Sequence, residues 1–332
     1  MQHFTFKPVL GDQEGLPQIG LALTRGLRAS GVSFDLVPHR IVGELDGDTA
    51  SLVRSCGTGP VVSYGDCISE GRMTEPDVTF TMWETNKIQQ QWVTNFNKRR
   101  AIIVPCEWNR DIFTACGVNI PIHKCNLGVD TSIFCPIKEL NDTKREHFTF
   151  GCGGQHYGKN WSRKNLPLVL EAFEKLQGDN LRLIVKTGKL GDLTSSDPRV
   201  SFENCHFTPE ELARWFHSLD CFVSASSTEG WGLFQQQALA CGVPLLSVNY
   251  GGVSEFFRPP NDGWELDYTN EHPSAFYKGA GKWPMPTVRS LVGTMELASA
   301  SLYRQTNASK AATLSTELMQ GRFVQILAEV LA

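Results

Sequence analysis

The residues with the clearest chemistry lie between Ser226 and Gly252, where Glu229-Gly230-Trp231-Gly232-Leu233-Phe234 leads through Gln237 to Gly242, Pro244 and the pair Gly251-Gly252. Glycines at 230 and 232 let backbone N–H groups approach a ligand closely. A helix opening near Gly232 would add unpaired N–H donors and the positive end of its dipole. A turn of this kind binds an anion, most naturally a phosphate. Gly242 then ends the helix and Pro244 prevents its continuation, so the element is short and firmly placed. A lone Gly-x-Gly before a helix is usually no more than a tight turn. Here the glycines and the proline recur at ordered offsets around a single acidic residue.

A second cluster lies upstream. Lys159, Arg163 and Lys164 precede a segment in which Asn165 reads as an N-cap and Pro167 as a first-turn residue. Leu166, Val169, Leu170 and Phe173 form its apolar face. Cations at the positive end of a helix are unfavourable by about 0.3–1 kcal/mol each unless an anion lies between them. Taken alone the cluster is as readily a solvated basic turn. Beside the glycine turn, the two segments together predict a diphosphate site.

The 226–252 run resembles the signature of retaining glycosyltransferases of family 4 (group 1), in which a Glu is followed eight residues later by a second Glu and then by Ala-x-Ala-x-Gly-x-Pro. Glu229 stands at the first position, Trp231 where the family has an aromatic, and Gln237 at the second Glu position. The resemblance implies that Glu229 contacts the donor sugar and that residue 237 hydrogen-bonds the nucleotide ribose. Gln237 keeps an amide oxygen for a hydroxyl but lacks the charge-assisted strength of a carboxylate. The upstream cluster is similar to the family's donor-phosphate element, an Arg and a Lys five residues apart. Lys164 matches the Lys, Lys159 replaces the Arg, and Arg163 is the nearby guanidinium. Ile102-Ile-Val-Pro-Cys-Glu-Trp108, Gly128-Val129-Asp130 and Phe207-Thr-Pro-Glu-Glu-Leu-Ala213 extend the similarity over residues 80–260, with little before them.

The implied fold is α/β of the GT-B type, two Rossmann-like parallel-sheet domains facing across a cleft. The implied activity is a hexosyltransferase-like transfer from a nucleotide diphosphate-sugar, with retention and without a metal. No cofactor is implied beyond that co-substrate, and the acceptor is unassigned. Glu229, Lys164 and Arg163 are the expected catalytic residues, and Lys159, Gly230, Trp231, Gly232, Leu233, Phe234 and Gln237 the expected donor-binding residues. Two other readings compete. One is a non-catalytic relative that binds nucleotide sugar or glycan, motivated by Gln237 and Lys159. The other is a sugar-nucleotide epimerase or phosphorylase of the same fold.

Short apolar runs alternating with helical patterns must position these residues, which is the grammar of a parallel sheet. Ile19, Leu23 and Leu27 mark a helix closed by Gly31, before a strand over Val32–Val37. Val61–Tyr64, Val78–Met82 and Ala101–Val104 read as strands, and Glu107–Cys116 as a helix. Leu181–Val185, Cys221–Ala225 and Leu245–Val248 are further strands, and Pro209–Ser218 and Leu233–Cys241 further helices. The polar stretch from Pro136 to His147 suggests a boundary. The expected domains are 1–140 on the acceptor side, 141–290 for the nucleotide sugar, and 291–332 as C-terminal helices packing back on the first.

With 31 Lys+Arg against 35 Asp+Glu the 332-residue chain carries a net charge of −4, which argues against bulk nucleic-acid binding. Its ten cysteines include no Cys-x-x-Cys, so they read as reduced thiols in a cytoplasmic setting rather than a disulfide frame or zinc ribbon. No signal-peptide pattern or transmembrane run is visible. Four features are weaker. Asp46-Gly-Asp48 has the spacing of a metal-binding carboxylate pair but reads as a turn. Glu84, after a strand and beside Trp83, is the candidate acceptor residue. Lys98-Arg99-Arg100 reads as a solvated helix end, and His206 as a surface residue.

Overall fold

The structure is a computed structural model describing all residues except 14, 138–145, 156–162, 189, 274–276, 278–280 and 302–309. It contains two compact units. The first comprises Met1–Gly128 with Leu314–Ala332, the second Val129–Thr313.

In the first unit, strands β1 (Phe4–Leu10), β2 (Phe34–Leu36), β3 (Arg40–Ile41), β4 (Val61–Tyr64), β5 (Val78–Phe80), β6 (Ala101–Val104) and β7 (Ile122–Lys124) form a parallel sheet. Its order is β2-β1-β4-β5-β6-β7, with β3 also on β1. Helices α1 (Leu16–Ala29), α2 (Gly47–Leu52), α3 (Cys67–Arg72), α4 (Gln90–Phe96) and α5 (Glu107–Ala115) connect the strands. Ile19, Leu23 and Leu27 form the buried stripe of α1, and Gly31 at φ +66° follows its C-cap.

The sequence reading had no strand at 4–10, yet β1 is central. A proline is normally confined to edges because it cannot donate to a ladder. Pro8 is tolerated because β2 pairs with Phe4–Phe6 and β3 with Val9–Leu10, so Pro8 sits where one neighbour hands over to the next. The last helix, α11 (Thr316–Val330), belongs to this unit, with Phe323 packed on Phe6 and Phe80.

In the second unit, β8 (Phe148–Gly153), β9 (Leu181–Thr187), β10 (Val200–Asn204), β11 (Cys221–Ser224), β12 (Leu245–Ser247) and β13 (Gly263–Glu265) form a parallel sheet in the order β10-β9-β8-β11-β12-β13. This is the doubly wound order, built first outward to one side and then to the other. Its topological switch point lies between β8 and β11, where such sheets bind ligands beyond the strand ends. Helix α6 (Leu166–Glu174) and α9 (Val288–Ala300) cover one face, with Val169, Phe173, Leu291 and Met295 in one core beneath them. Helices α7 (Pro209–His217) and α8 (Leu233–Ala240) follow β10 and β11. An antiparallel ribbon of β14 (Tyr268–Pro273) and β15 (Lys282–Pro286) precedes α9. The short α10 (Lys310–Thr313) lies against α8.

Both units are thus α/β with Rossmann-like parallel sheets, as the resemblance implied. The boundary between them falls before the polar stretch 136–147, and α9 stays with the second unit while α11 joins the first. No helix among the described residues is long and apolar enough to cross a membrane.

Candidate functional site

Two loops leave the second sheet on either side of its switch point. One follows β8 and ends at Asn165; the other follows β11 and ends at Gly232. Ser227 N donates to Arg163 O at 3.0 Å, and Asn165 Nδ2 donates to Ala225 O at 2.8 Å and Ser227 Oγ at 2.9 Å. Asn165 was expected to cap α6. It does occupy the N-cap position, but its side chain makes no cap bond. Its φ of 51° is a left-handed conformation that Asn tolerates better than most residues. That turn aims the amide across to the second loop, so Asn165 staples the two loops together.

The staple brings Glu229 against two cations. Glu229 is buried; its Oε2 accepts from Arg163 Nη1 at 2.6 Å and its Oε1 from Lys164 Nζ at 2.5 Å, while Arg163 Nη1 also reaches Thr228 O at 2.5 Å. Burial alone pushes this carboxyl's pKa up. The charges of Arg163 and Lys164 and their hydrogen bonds outweigh it and hold the group well below the usual carboxylate range. Glu229 is therefore ionised at any ordinary pH. The triad, two cations and one anion, carries one net positive charge.

Helix α8 begins directly after this cluster. Gly232 is its N-cap at φ 102°, and no side chain among the described residues caps the first turn, which leaves the leading N–H groups open to a ligand. Leu233 and Phe234 are half-buried there. Gly251 and Gly252 have a structural reason: a Cβ at 251 would meet Thr228 Oγ1 at 2.6 Å and Glu229 O at 2.7 Å, and one at 252 would strike the backbone of Gly230 and Trp231. Gly252 N donates to Glu229 O at 2.7 Å, fixing the turn from behind.

The three consecutive glutamines of α8 do different work. Gln235 Nε2 bonds Ser224 Oγ at 2.8 Å and lies 3.5 Å from Glu229 Oε1. Gln236 Oε1 accepts from the Trp231 indole at 2.7 Å. Trp231 is 1% exposed and packs on Phe256 with ring centroids 5.2 Å apart, so its side chain is core and only its backbone faces the turn. Gln237 is buried, and its Oε1 has no hydrogen-bond partner among the described residues; the same holds for Thr228 Oγ1. Buried oxygens of this kind are normally satisfied, and each of these two could accept a further polar hydrogen.

Of the expected site, Arg163, Lys164, Glu229, Gly230, Gly232, Leu233, Phe234 and Gln237 thus come together around the switch point, and Lys159 lies outside the described residues. Glu84 is in the first unit, partly buried in the segment after β5. Beside it Trp83 is anchored by Asn109 Oδ1 on its N–H at 2.5 Å and by indole bonds to Thr85 Oγ1 and Lys87 O. Asp46 caps α2 by accepting from Thr49 N at 2.8 Å and pairs with Arg25 at 3.0 Å, and Asp48 lies in the first turn of that helix, so the pair expected as a turn opens a helix instead. Arg99 corrects its reading as a solvated residue: it is 5% exposed and donates to Thr79 Oγ1 and the carbonyls of Glu70 and Met73. Sequence reasoning missed Gln235, Thr228 and the stapling role of Asn165. Three adjacent glutamines in a helix otherwise made of Leu, Phe and Ala were the available signal. All ten cysteines are free thiols.

Residues 157–275, which contain both loops, match the family of glycosyl transferases group 1. A D-inositol 3-phosphate glycosyltransferase of Paenarthrobacter aurescens is 34% identical over 115 residues, covering 34% of this chain and 26% of the relative. One from Mycobacterium marinum is 30% identical over 143 residues, covering 38% and 29%. The matched stretch therefore spans little more than a quarter of these relatives. Among solved structures, the sucrose-phosphate synthase of Thermosynechococcus elongatus superposes with a TM-score of 0.74 at 12% identity, covering 100% of this chain and 99% of that one. Anabaena HepE in complex with UDP and glucose gives 0.61 at 13%, covering 99% and 100%. At these identities the likeness is one of fold, and the fold is that of GT-B glycosyltransferases.

Proposed function

We propose that the protein is a glycosyltransferase that moves a sugar from a nucleoside diphosphate sugar to an acceptor with retention at the anomeric carbon, and that it needs no metal to do so. The observation that carries this reading is the meeting of Arg163 and Lys164 on Glu229 beside the uncapped start of α8. The chemical difficulty is departure of a diphosphate on which negative charge grows. Preorganised cations and backbone N–H groups in a water-poor setting stabilise that charge as it develops. Arg163, Lys164 and the N–H groups at Leu233 and Phe234 are such a set. Lys159, outside the described residues, is assigned to the same set from the sequence alone.

In this reading Glu229 orients the donor sugar, and the unsatisfied amide oxygen of Gln237 accepts from a ribose hydroxyl. Retention rests on the family resemblance and not on any distance. Glu84 is assigned to the acceptor side, and the free thiols agree with a cytoplasmic setting. Gln237 also favours a second reading, nucleotide-sugar binding without turnover, because an amide holds a hydroxyl less firmly than a carboxylate does.

A thermal-shift series over nucleoside diphosphates tests the proposal. One of them at a hundred times its Kd should stabilise the protein by about 2.7 kcal/mol, and Lys164→Ala should abolish the rise. No response to any diphosphate would overturn the reading. A diphosphate response without sugar transfer to any acceptor, restored by Gln237→Glu, would establish the second.

A further inference from the structure

The amide of Gln235 holds a hydrogen-bond donor in reserve beside Glu229. Gln235 is the third residue of α8 and is 2% exposed. A glutamine at that position commonly reaches back over the start of its helix, and here a Cβ on Gly232 would lie 3.2 Å from Gln235 Oε1. The fold-back carries Nε2 to Ser224 Oγ, at the end of β11, where it donates at 2.8 Å. An amide nitrogen has two hydrogens to give. One serves Ser224. Glu229 Oε1 stands 3.5 Å from the same nitrogen, beyond the roughly 2.7–3.2 Å of a well-made N–H···O bond.

Glu229 has no need of that donor while Lys164 Nζ is on its Oε1 at 2.5 Å and Arg163 Nη1 on its Oε2 at 2.6 Å. A nucleoside diphosphate changes the balance. Its phosphates draw on the same two cations, and each contact they gain is taken from the carboxylate. A buried carboxylate stripped of its cations is costly unless other donors satisfy it, and Glu229 is 5% exposed. The neutral amide is already seated against Oε1. A contraction of roughly half an ångström brings it to full hydrogen-bond length, and a bond to a charged acceptor is about twice as strong as one to a neutral acceptor.

We propose that Gln235 is a positioning residue that keeps Glu229 ionised and in place when the phosphates of a sugar nucleotide take Arg163 and Lys164. The inference rests on the nucleotide-sugar reading and deepens it. The triad of Arg163, Lys164 and Glu229 is then the resting arrangement. In the bound state the carboxylate passes to Gln235 and both cations go to the leaving group.

The test is a double-mutant cycle of Gln235→Met and Glu229→Gln, titrated with UDP, GDP and ADP and with the nucleoside of whichever diphosphate the wild type binds. Gln235→Met should weaken diphosphate binding about tenfold or more, the scale of a lost hydrogen bond to a charged group, and leave the nucleoside affinity unchanged. In the Glu229→Gln background, with no carboxylate charge to hold, the same substitution should cost about twofold or less. Should Gln235→Met fail to fold, Ser224→Ala combined with Gln235→Leu carries the test, because removing both partners of the buried bond leaves neither unsatisfied. Losses of equal size in both backgrounds, or for nucleoside as much as diphosphate, would make Gln235 a packing residue and overturn the proposal. Unchanged diphosphate affinity in Gln235→Met would overturn it too, and in all these cases the nucleotide reading stands. If the wild type binds none of the three diphosphates, both fall together.

Discussion

Two buried glutamates, one in each unit, have been driven in opposite directions. Glu70 on α3 is fully buried, and burial pushes its pKa up to about 7. Ser63 Oγ donates to its Oε2 at 2.5 Å and Thr79 Oγ1 at 3.3 Å, and Arg99 Nη1 stands 3.8 Å away. Its Oε1 is unsatisfied among the described residues, with His39 Nε2 at 3.7 Å. Glu229 is as deeply placed and stays ionised. The difference is not depth but the distance of the cations. Glu229 has two at 2.5–2.6 Å, whereas Arg99 commits its N–H groups to Thr79 and to two carbonyls. Burial lowers the pKa of Arg99 too, to about 10, so desolvation wins on both sides of that pair. A carboxylate kept charged by two cations in meeting loops is equipped to meet a ligand. One that picks up a proton near neutrality between a helix and its sheet is a structural knot.

Replacing each glutamate by glutamine separates the two roles, and the larger effect belongs to Glu229. In Glu229→Gln the rate of sugar transfer should fall on the order of 10²–10³-fold, the cost of losing one preorganised electrostatic partner. Nucleoside diphosphate binding should persist or tighten, since the carboxylate no longer competes for Arg163 and Lys164. Transfer at the wild-type rate would break the comparison at its functional end.

Glu70→Gln should leave transfer alone and alter stability with pH. The folded-state pKa of Glu70 lies above that of the unfolded chain, so the native state binds the extra proton and stability falls as pH rises from about 4.5 to about 7. Glutamine mimics the protonated form. Urea denaturation should therefore find the variant level with wild type near pH 4 and up to roughly 3 kcal/mol more stable at pH 8. Glu229 has the opposite sign, because its pKa is depressed: its stabilisation is present above the unfolded value and lost only in stronger acid. Parallel stability curves for wild type and Glu70→Gln would show that Glu70 does not titrate as the geometry requires.

The sequence was most readable where burial follows a short-range pattern. Val61–Tyr64 and Ala101–Val104 are strands with the expected ends, and α8 runs from Leu233 to one residue short of Cys241, stopped by Gly242 at φ +78°. The anion-binding turn was readable because glycine, proline and charge act locally. What was missed depends on partners distant in the chain. A proline inside a central strand goes against local propensity, and Pro8 fits only because β2 and β3, distant in the chain, divide its neighbourhood. Arg99 resembled a surface cation because Glu70 and Thr79, its partners, lie 29 and 20 residues away. Trp231 stood at an aromatic position of the signature, but nothing in the signature says that Gln236 turns its indole inward. Asn165 was correctly placed at a helix start, and its actual partners lie 60 and 62 residues on.

The smallest predicted effect asks which of the two glutamates a third would resemble. Gln237 Oε1 is buried and unsatisfied among the described residues, as Glu70 Oε1 is, and neither Arg163 nor Lys164 bonds it. Without ligand, the new carboxyl of a Gln237→Glu variant should therefore behave like that of Glu70: desolvated, protonated near neutrality, and destabilising as it ionises. The apo Tm should fall relative to wild type at pH 8 and match it near pH 4. With a nucleoside diphosphate bound, the hydroxyls that Gln237 is proposed to accept from would be the donors that carboxylate lacks. Affinity at pH 8 should then rise severalfold, about 1 kcal/mol, the advantage of a charged over a neutral acceptor. A pH-independent apo Tm would place residue 237 with Glu229, already within reach of a cation. Affinity unchanged or weakened at pH 8 would mean that no ribose hydroxyl points at this oxygen.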